Sequence, residues 1–162
     1  MRLKAIATMM LVCATLLSVG GCASKIFQHP LLSAEGKGSS TSAEVYFFRE
    51  DMFKGSAFAT PVYLAGEKLL QLRVATYCKL YLKPGSYDME VGSYSGGQGM
   101  LSSVPSFRSM TFDGGKTYFI HLQPESRMTL TGLETHFKPE LISEEQARIL
   151  MTQYTLIPGP AE

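Results

Sequence analysis

From Glu44 onward, apolar and polar positions alternate in short runs broken by turn-forming residues every eight to twelve positions or so, the rhythm of an all-β sandwich or barrel. The runs predict strands at 44–49, 61–64, 68–72, 76–82, 87–93, 107–112, 117–122 and 129–134. In "TYCKLYL" the period of two puts Cys78, Leu80 and Leu82 on one face and Tyr77, Lys79 and Tyr81 on the other. A two-residue turn at Pro84-Gly85 would pair Leu82 with Tyr87, Leu80 with Met89 and Cys78 with Val91 inward, and Lys79 with Glu90 outward. A three-residue loop over 114–116 would likewise pair Phe112 with Tyr118 and Met110 with Ile120. After residue 142 the period lengthens. Ser143 and Gln146 form a capping box, and Ala147, Leu150, Met151 and Tyr154 follow at helical spacing, so 144–153 reads as one amphipathic helix. The fold predicted is an antiparallel β-sandwich of about seven to eight short strands carrying one C-terminal helix.

The amino terminus has a different pattern. Arg2 and Lys4 precede an uncharged apolar run over 5–19, and Val19-Gly20-Gly21 places small residues before Cys22, the layout of a secretory signal. The run falls short of the ~20 apolar residues that span a bilayer. Its end resembles the bacterial lipoprotein box, in which a peptidase cuts before a cysteine whose sulfur carries a diacylglyceryl group; Cys22 is that cysteine here. Two or more acyl chains hold a protein stably on a membrane surface. In the lipoproteins this resembles, an acidic residue after the cysteine retains the protein at the inner membrane. Ala23 and Ser24 are neutral, which implies the periplasmic face of the outer membrane. The expected organisation is a signal peptide over 1–21, a lipidated cysteine and flexible Gly/Ser tether over 22–42, and a β-sandwich with its helix over 43–157.

Charge and composition narrow the chemistry. Removing 1–21 takes Arg2 and Lys4 from fifteen basic residues and nothing from fourteen acidic ones, leaving a net charge of −1 (13 − 14). No basic excess remains to neutralise phosphates, so nucleic acid is not an expected partner. Once Cys13 is cleaved off and Cys22 acylated, only Cys78 is left, on an inward position where a free thiol serves as a small hydrophobe. The histidines are His29, His121 and His136, and the only local cluster of ligand types, Glu134-x-His136, is too small for a zinc site. "DGGKTYF" ends like a phosphate loop, but Met110 stands where its first glycine belongs, and it reads as a turn. No nucleophile elbow of the G-x-S-x-G type occurs. The sequence predicts no catalytic residues, no metal and no cofactor.

Two features bear on binding. The long Gly/Ser loop over 92–106 contains Tyr94, and the outward stripe Tyr77, Lys79, Tyr81, Lys83 offers rings suited to stacking on a partner or sugar; the alternatives are a plain connection and an ordinary solvated face. Tyr77, Tyr81 and Tyr94 are the candidate contact residues. "AEVYFFREDMFKGSAFATPVYLAGEKL", "YCKLYLKPGSYDMEV" and "GGKTYFIHL" together resemble a family of small bacterial lipoproteins known as a domain of unknown function, whose motifs V-Y-F-x-R, L-x-P-G-x-Y and G-K-T-Y-F appear in order over about residues 43–152. Glu50-Asp51 stands where that family often has proline, and Ala65-Gly66 where it often has Asp-Gly. The resemblance implies a lipid-anchored β-sandwich of PEGA-like character, with no catalytic residues to carry over. The expected function is therefore a non-enzymatic envelope lipoprotein that contacts a protein or glycan. A small-ligand or glycan-binding module is the alternative, and a hydrolase the third.

Overall fold

The computed structural model describes residues 29–33, 36, 38–51, 59–92, 94–95, 100–101, 106–130 and 132–160. The signal segment, Cys22 and most of the 92–106 loop lie outside the described residues. Two β-sheets pack over one apolar core. In chain order the strands are β1 (Ala43–Arg49), β2 (Thr60–Leu64), β3 (Glu67–Leu72), β4 (Thr76–Leu82), β5 (Gly85–Val91), β6 (Tyr94–Ser95), β7 (Met100–Leu101), β8 (Ser106–Phe112), β9 (Thr117–Thr129) and β10 (Gly132–Leu141). Helix α1 (Glu144–Gln153) and a last strand, β11 (Thr155–Ile157), follow. The larger sheet has the order β11-β4-β1-β9-β10-β6-β7 and the smaller β3-β2-β5-β8. At the centre of the larger sheet β1 runs parallel to β9 and antiparallel to β4.

Alternation sets which side chains face the core. Val45 and Phe47 of β1, Cys78, Leu80 and Leu82 of β4, Met89 and Val91 of β5, and Ile120 and Leu122 of β9 are all buried in one cluster shared by the two sheets. Arg49 occupies an inward position at the end of β1 and is fully buried. Its Nη1 donates to the Leu72 carbonyl of the opposite sheet at 2.9 Å, and its guanidinium lies 5.1 Å from the Phe137 ring centroid. Burial of Cys78 pushes its thiol up to about 11, so it stays protonated and inert.

The face assignments for β4 and β5 hold, but the two expected hairpins do not form. β4 and β5 belong to different sheets, as do β8 and β9, so Pro84-Gly85 and Gly114-Gly115-Lys116 are corners between sheets. Lys79 pairs with Glu44 of β1 at 2.7 Å, not with Glu90. Alternation tells a strand which face to bury and says nothing of its neighbour, and Pro-Gly does not favour the primed turns that close tight hairpins. Phe112 and Tyr118 do meet, edge to face at 5.1 Å, across the corner. At that corner Gly114 is required, because a Cβ there would sit 1.8 Å from the Ser40 carbonyl oxygen.

The tight hairpin is β2–β3, closed by Ala65-Gly66 with φ of 50° and 79°, both left-handed as a type I′ turn needs. The long hairpin β9–β10 replaces the short strand expected at 129–134, which spans its turn. Pro124 and Pro139 mask both arms in the sequence. Pro124 is tolerated because β9 leaves β1 after Leu122, and beyond it β10 is its partner among the described residues. Helix α1 starts at the Ser143–Gln146 capping box as expected, with Ala147 its buried residue. It then delivers β11 to the outer edge of β4.

Candidate functional site

The outward face of the larger sheet gathers the aromatic side chains that the core does not use. Tyr77, Lys79 and Tyr81 alternate along β4, and beside them on β1 lie Glu44, Tyr46 and Phe48. Phe119 and His121 continue the face on β9. Phe48 is fully buried on this side, with ring centroids 5.4 Å from Tyr77 and 6.4 Å from Tyr46, and Tyr46 stacks on Phe119 at 5.2 Å. The result is a near-continuous ring platform across three strands, with Tyr46, Tyr77, Tyr81 and Phe119 half-buried.

One ion pair organises the platform. The Glu44 carboxylate is nearly buried and takes Lys79 Nζ at 2.7 Å, the Tyr46 hydroxyl at 3.0 Å and the Thr117 hydroxyl at 3.3 Å. Lys79 also stands 5.0 Å from the Tyr81 ring centroid and 5.7 Å from that of Tyr46, a cation seated over two π-faces. The hydrogen bond to Glu44, then that to Tyr81, holds the Lys79 ammonium above the ordinary lysine range. Burial, reinforced by Glu44, raises the Tyr46 phenol. Both groups keep their protons at neutral pH, so the platform holds one fixed ammonium among its rings, paired with the Glu44 carboxylate. That suits stacking on planar or sugar faces and hydrogen bonding to hydroxyls.

Helix α1 covers the β9 side of this face. Ile142, Gln146, Ile149 and Leu150 enclose with His121 and Gln123 an open recess of about 250 Å³. Burial lowers the proton affinity of His121, Glu50 and Glu140 opposing it, so its ring is neutral at pH 7. Its Nε2 is buried without a hydrogen-bond partner among the described residues. His136 Nε2 lies 3.3 Å from Glu134 Oε2 without hydrogen-bond geometry, and Arg127 shares that carboxylate at 3.1 Å. Neither Nε2 takes up a serine hydroxyl. Among the described residues no group of three His, Cys, Asp or Glu is placed to hold a metal ion.

Of the three tyrosines read from the sequence, Tyr77 and Tyr81 share the platform. Tyr94 does not join them: it lies on β6 opposite Thr135 of β10, four strands from β4 and hence about 19 Å away. Sequence reasoning overlooked Glu44, Tyr46, Phe48 and Phe119. The signal for the first three was present, since "EVYFF" alternates like "YCKLY", but only the pairing of β1 with β4 merges the two stripes. A family model described as a protein of unknown function (DUF2846) matches residues 39–133, which takes in β1 through the start of β10. No curated protein matches the chain.

Proposed function

The chain belongs to the DUF2846 family, and from that premise we propose that it is a non-enzymatic lipoprotein of the bacterial envelope, anchored through acylated Cys22 at the periplasmic face of the outer membrane, whose sandwich binds a protein or glycan. The observation that carries the anchor is the amino-terminal order of charge, apolar run, small residues and cysteine: Arg2 and Lys4, residues 5–19, Val19-Gly20-Gly21, then Cys22. Among the described residues no helix is long and apolar enough to cross a membrane. The Tyr46–Tyr77–Tyr81 platform with its Lys79 centre supports the binding role, and His121 and His136, neither hydrogen-bonded to a serine among the described residues, give no support to a hydrolase. Mass spectrometry of the protein from membranes tests the anchor: a diacylglyceryl group on Cys22 is the expected finding, and Cys22→Ser is expected to leave an uncleaved precursor. An unmodified amino terminus at residue 22, or a Cys22→Ser protein that matures and still sediments with membranes, removes the proposal.

A second reading, glycan binding on the platform itself, is favoured by the row of half-buried rings along β1, β4 and β9. The chain has no tryptophan, and three of its eight tyrosines, Tyr46, Tyr77 and Tyr81, lie on the platform, so a change in tyrosine fluorescence that Tyr81→Ala diminishes reports on the site. Titration with envelope oligosaccharides is expected to quench it, and Tyr81→Ala to weaken binding by about tenfold, on the scale of one stacked ring. Saturating oligosaccharide with no change in signal or thermal midpoint would leave the protein-partner reading in possession of the face.

A further inference from the structure

We propose that residues 29–33 act as a latch that shortens the membrane leash and fixes which end of the sandwich faces the lipid; this rests on the Cys22 anchor. Part of the segment expected to be a tether is docked. Leu32 bridges to Leu82 on the outer edge of β4, Ser33 N–H donates to the Tyr81 carbonyl at 2.8 Å, and Lys83 N–H donates to the Leu31 carbonyl at 3.0 Å. Lys83 Nζ reaches the Pro30 carbonyl at 2.7 Å, and Leu31 and Leu32 pack against the core. His29 ties the latch to the other sheet. Its Nδ1 accepts from Leu31 N–H at 3.3 Å, which leaves Nε2–H to donate to the Lys68 carbonyl of β3 at 3.1 Å.

The latch sets a length. From Cys22 to a fixed His29 are seven residues, which span at most about 25 Å fully extended. From Cys22 to Ala43, with nothing docked, the reach is about 75 Å. The thirteen residues of β9 rise about 40 Å from the latched end to the tip of the β9–β10 ribbon. A leash shorter than the body it holds keeps the molecule from standing inverted, tip on the bilayer and latched end away from it. The end bearing the Pro84-Gly85 corner and the Asp113–Lys116 corner is therefore kept at the headgroups. The ribbon tip, where Met128 and Leu130 are 79 % and 108 % exposed, is the end the leash leaves free to stand away from the bilayer, where those apolar side chains meet a protein.

The test uses the acylated mature protein in vesicles carrying a headgroup energy acceptor, with a donor dye on Ser86→Cys at the latched end or on Leu130→Cys at the tip. Cys22, as a thioether, and Cys78, buried and protonated, do not compete for the dye. Transfer from position 86 is expected to exceed that from 130 several-fold. Inserting fifteen Gly/Ser residues after Ser24, ahead of the docked segment, is expected to bring the two efficiencies together, and Leu31→Asp with Leu32→Asp to do the same. Equal transfer from the two positions in the parent protein overturns the proposal, as does an insertion that leaves the difference unchanged. Protein that carries no acyl chain by mass spectrometry and gives no transfer from either dye instead removes the anchor itself, and the latch's role with it.

Discussion

Ala65, like Ala75, is at odds with its backbone. It occupies a left-handed backbone position, φ 50°, in the turn between β2 and β3, and a side chain with a Cβ pays about 1–2 kcal/mol there. Asparagine tolerates that region far better, so Ala65→Asn is expected to stabilise the protein by about 1 kcal/mol in urea denaturation with an unchanged slope. His121 is a second residue whose environment makes a measurable demand. Burial depresses its folded-state proton affinity, with Glu50 and Glu140 offsetting part of the effect, so below the ordinary histidine value of about 6.5 the unfolded chain binds the proton more readily. Stability is therefore full above that pH and falls as the pH drops through it towards the folded-state value. Unfolding curves at pH 7.5 and pH 5 are expected to show the loss, and His121→Gln to shrink it; an unchanged difference would place the pH sensitivity elsewhere. Residue-level reading of the sequence did well where one side chain answers one neighbour. Ser143 and Gln146 announced the helix start correctly, and Cys78, Leu80, Leu82, Met89 and Val91 were all rightly placed inward. Arg49 was not foreseen as buried, although it shares inward parity with Val45 and Phe47, because its partners, the Leu72 carbonyl and Phe137, lie far away in sequence.

At the scale of elements, the outer edge of β4 is the point of vulnerability. An unpaired strand edge is a template for association with another chain. Here β11 covers β4 from Thr76 to Cys78, and residues 31–33 cover its end at Tyr81 and Leu82 and the adjoining Lys83. Gly159 closes in behind β11, where an added Cβ would lie 2.7 Å from Leu80 Cδ2. Truncation after Gln153 is expected to lower the thermal midpoint by several degrees and to produce concentration-dependent association in light scattering. A monomer of unchanged midpoint would show that the edge needs no such cover. None of this cover was visible in the sequence, since "SAEGKGSSTSA" and the residues before it carry no period and "TLI" is too short to register. The same limit explains the misplaced hairpins. Local pattern identified β4, β5, β8 and β9 as strands, but Pro84-Gly85 and Gly114-Gly115 turn the chain from one sheet to the other, and the pairing of β1 with both β4 and β9 comes from long-range packing. The platform was half legible for that reason: each stripe was readable alone, and their juxtaposition was not.

For the whole molecule, one cluster of buried side chains drawn from both sheets, pinned by Arg49 from the larger sheet to the Leu72 carbonyl of the smaller, predicts a single cooperative unit. Denaturant unfolding followed by tyrosine fluorescence, which senses side-chain packing on both sheets, and by far-UV circular dichroism, which senses their backbone, is expected to give coincident transitions. Separate midpoints would mean that the sheets come apart independently. The parallel contact at the heart of the larger sheet has a further consequence in time. Glu44 lies beside Thr117 and Arg49 beside Leu122, so β1 lacks one of its two neighbours until roughly three-quarters of the polypeptide has been synthesised. Topologies built on such distant pairings fold slowly. If the chain is the secreted precursor proposed above, this delay would keep it pliable while it threads through a narrow translocation pore, until its tail follows.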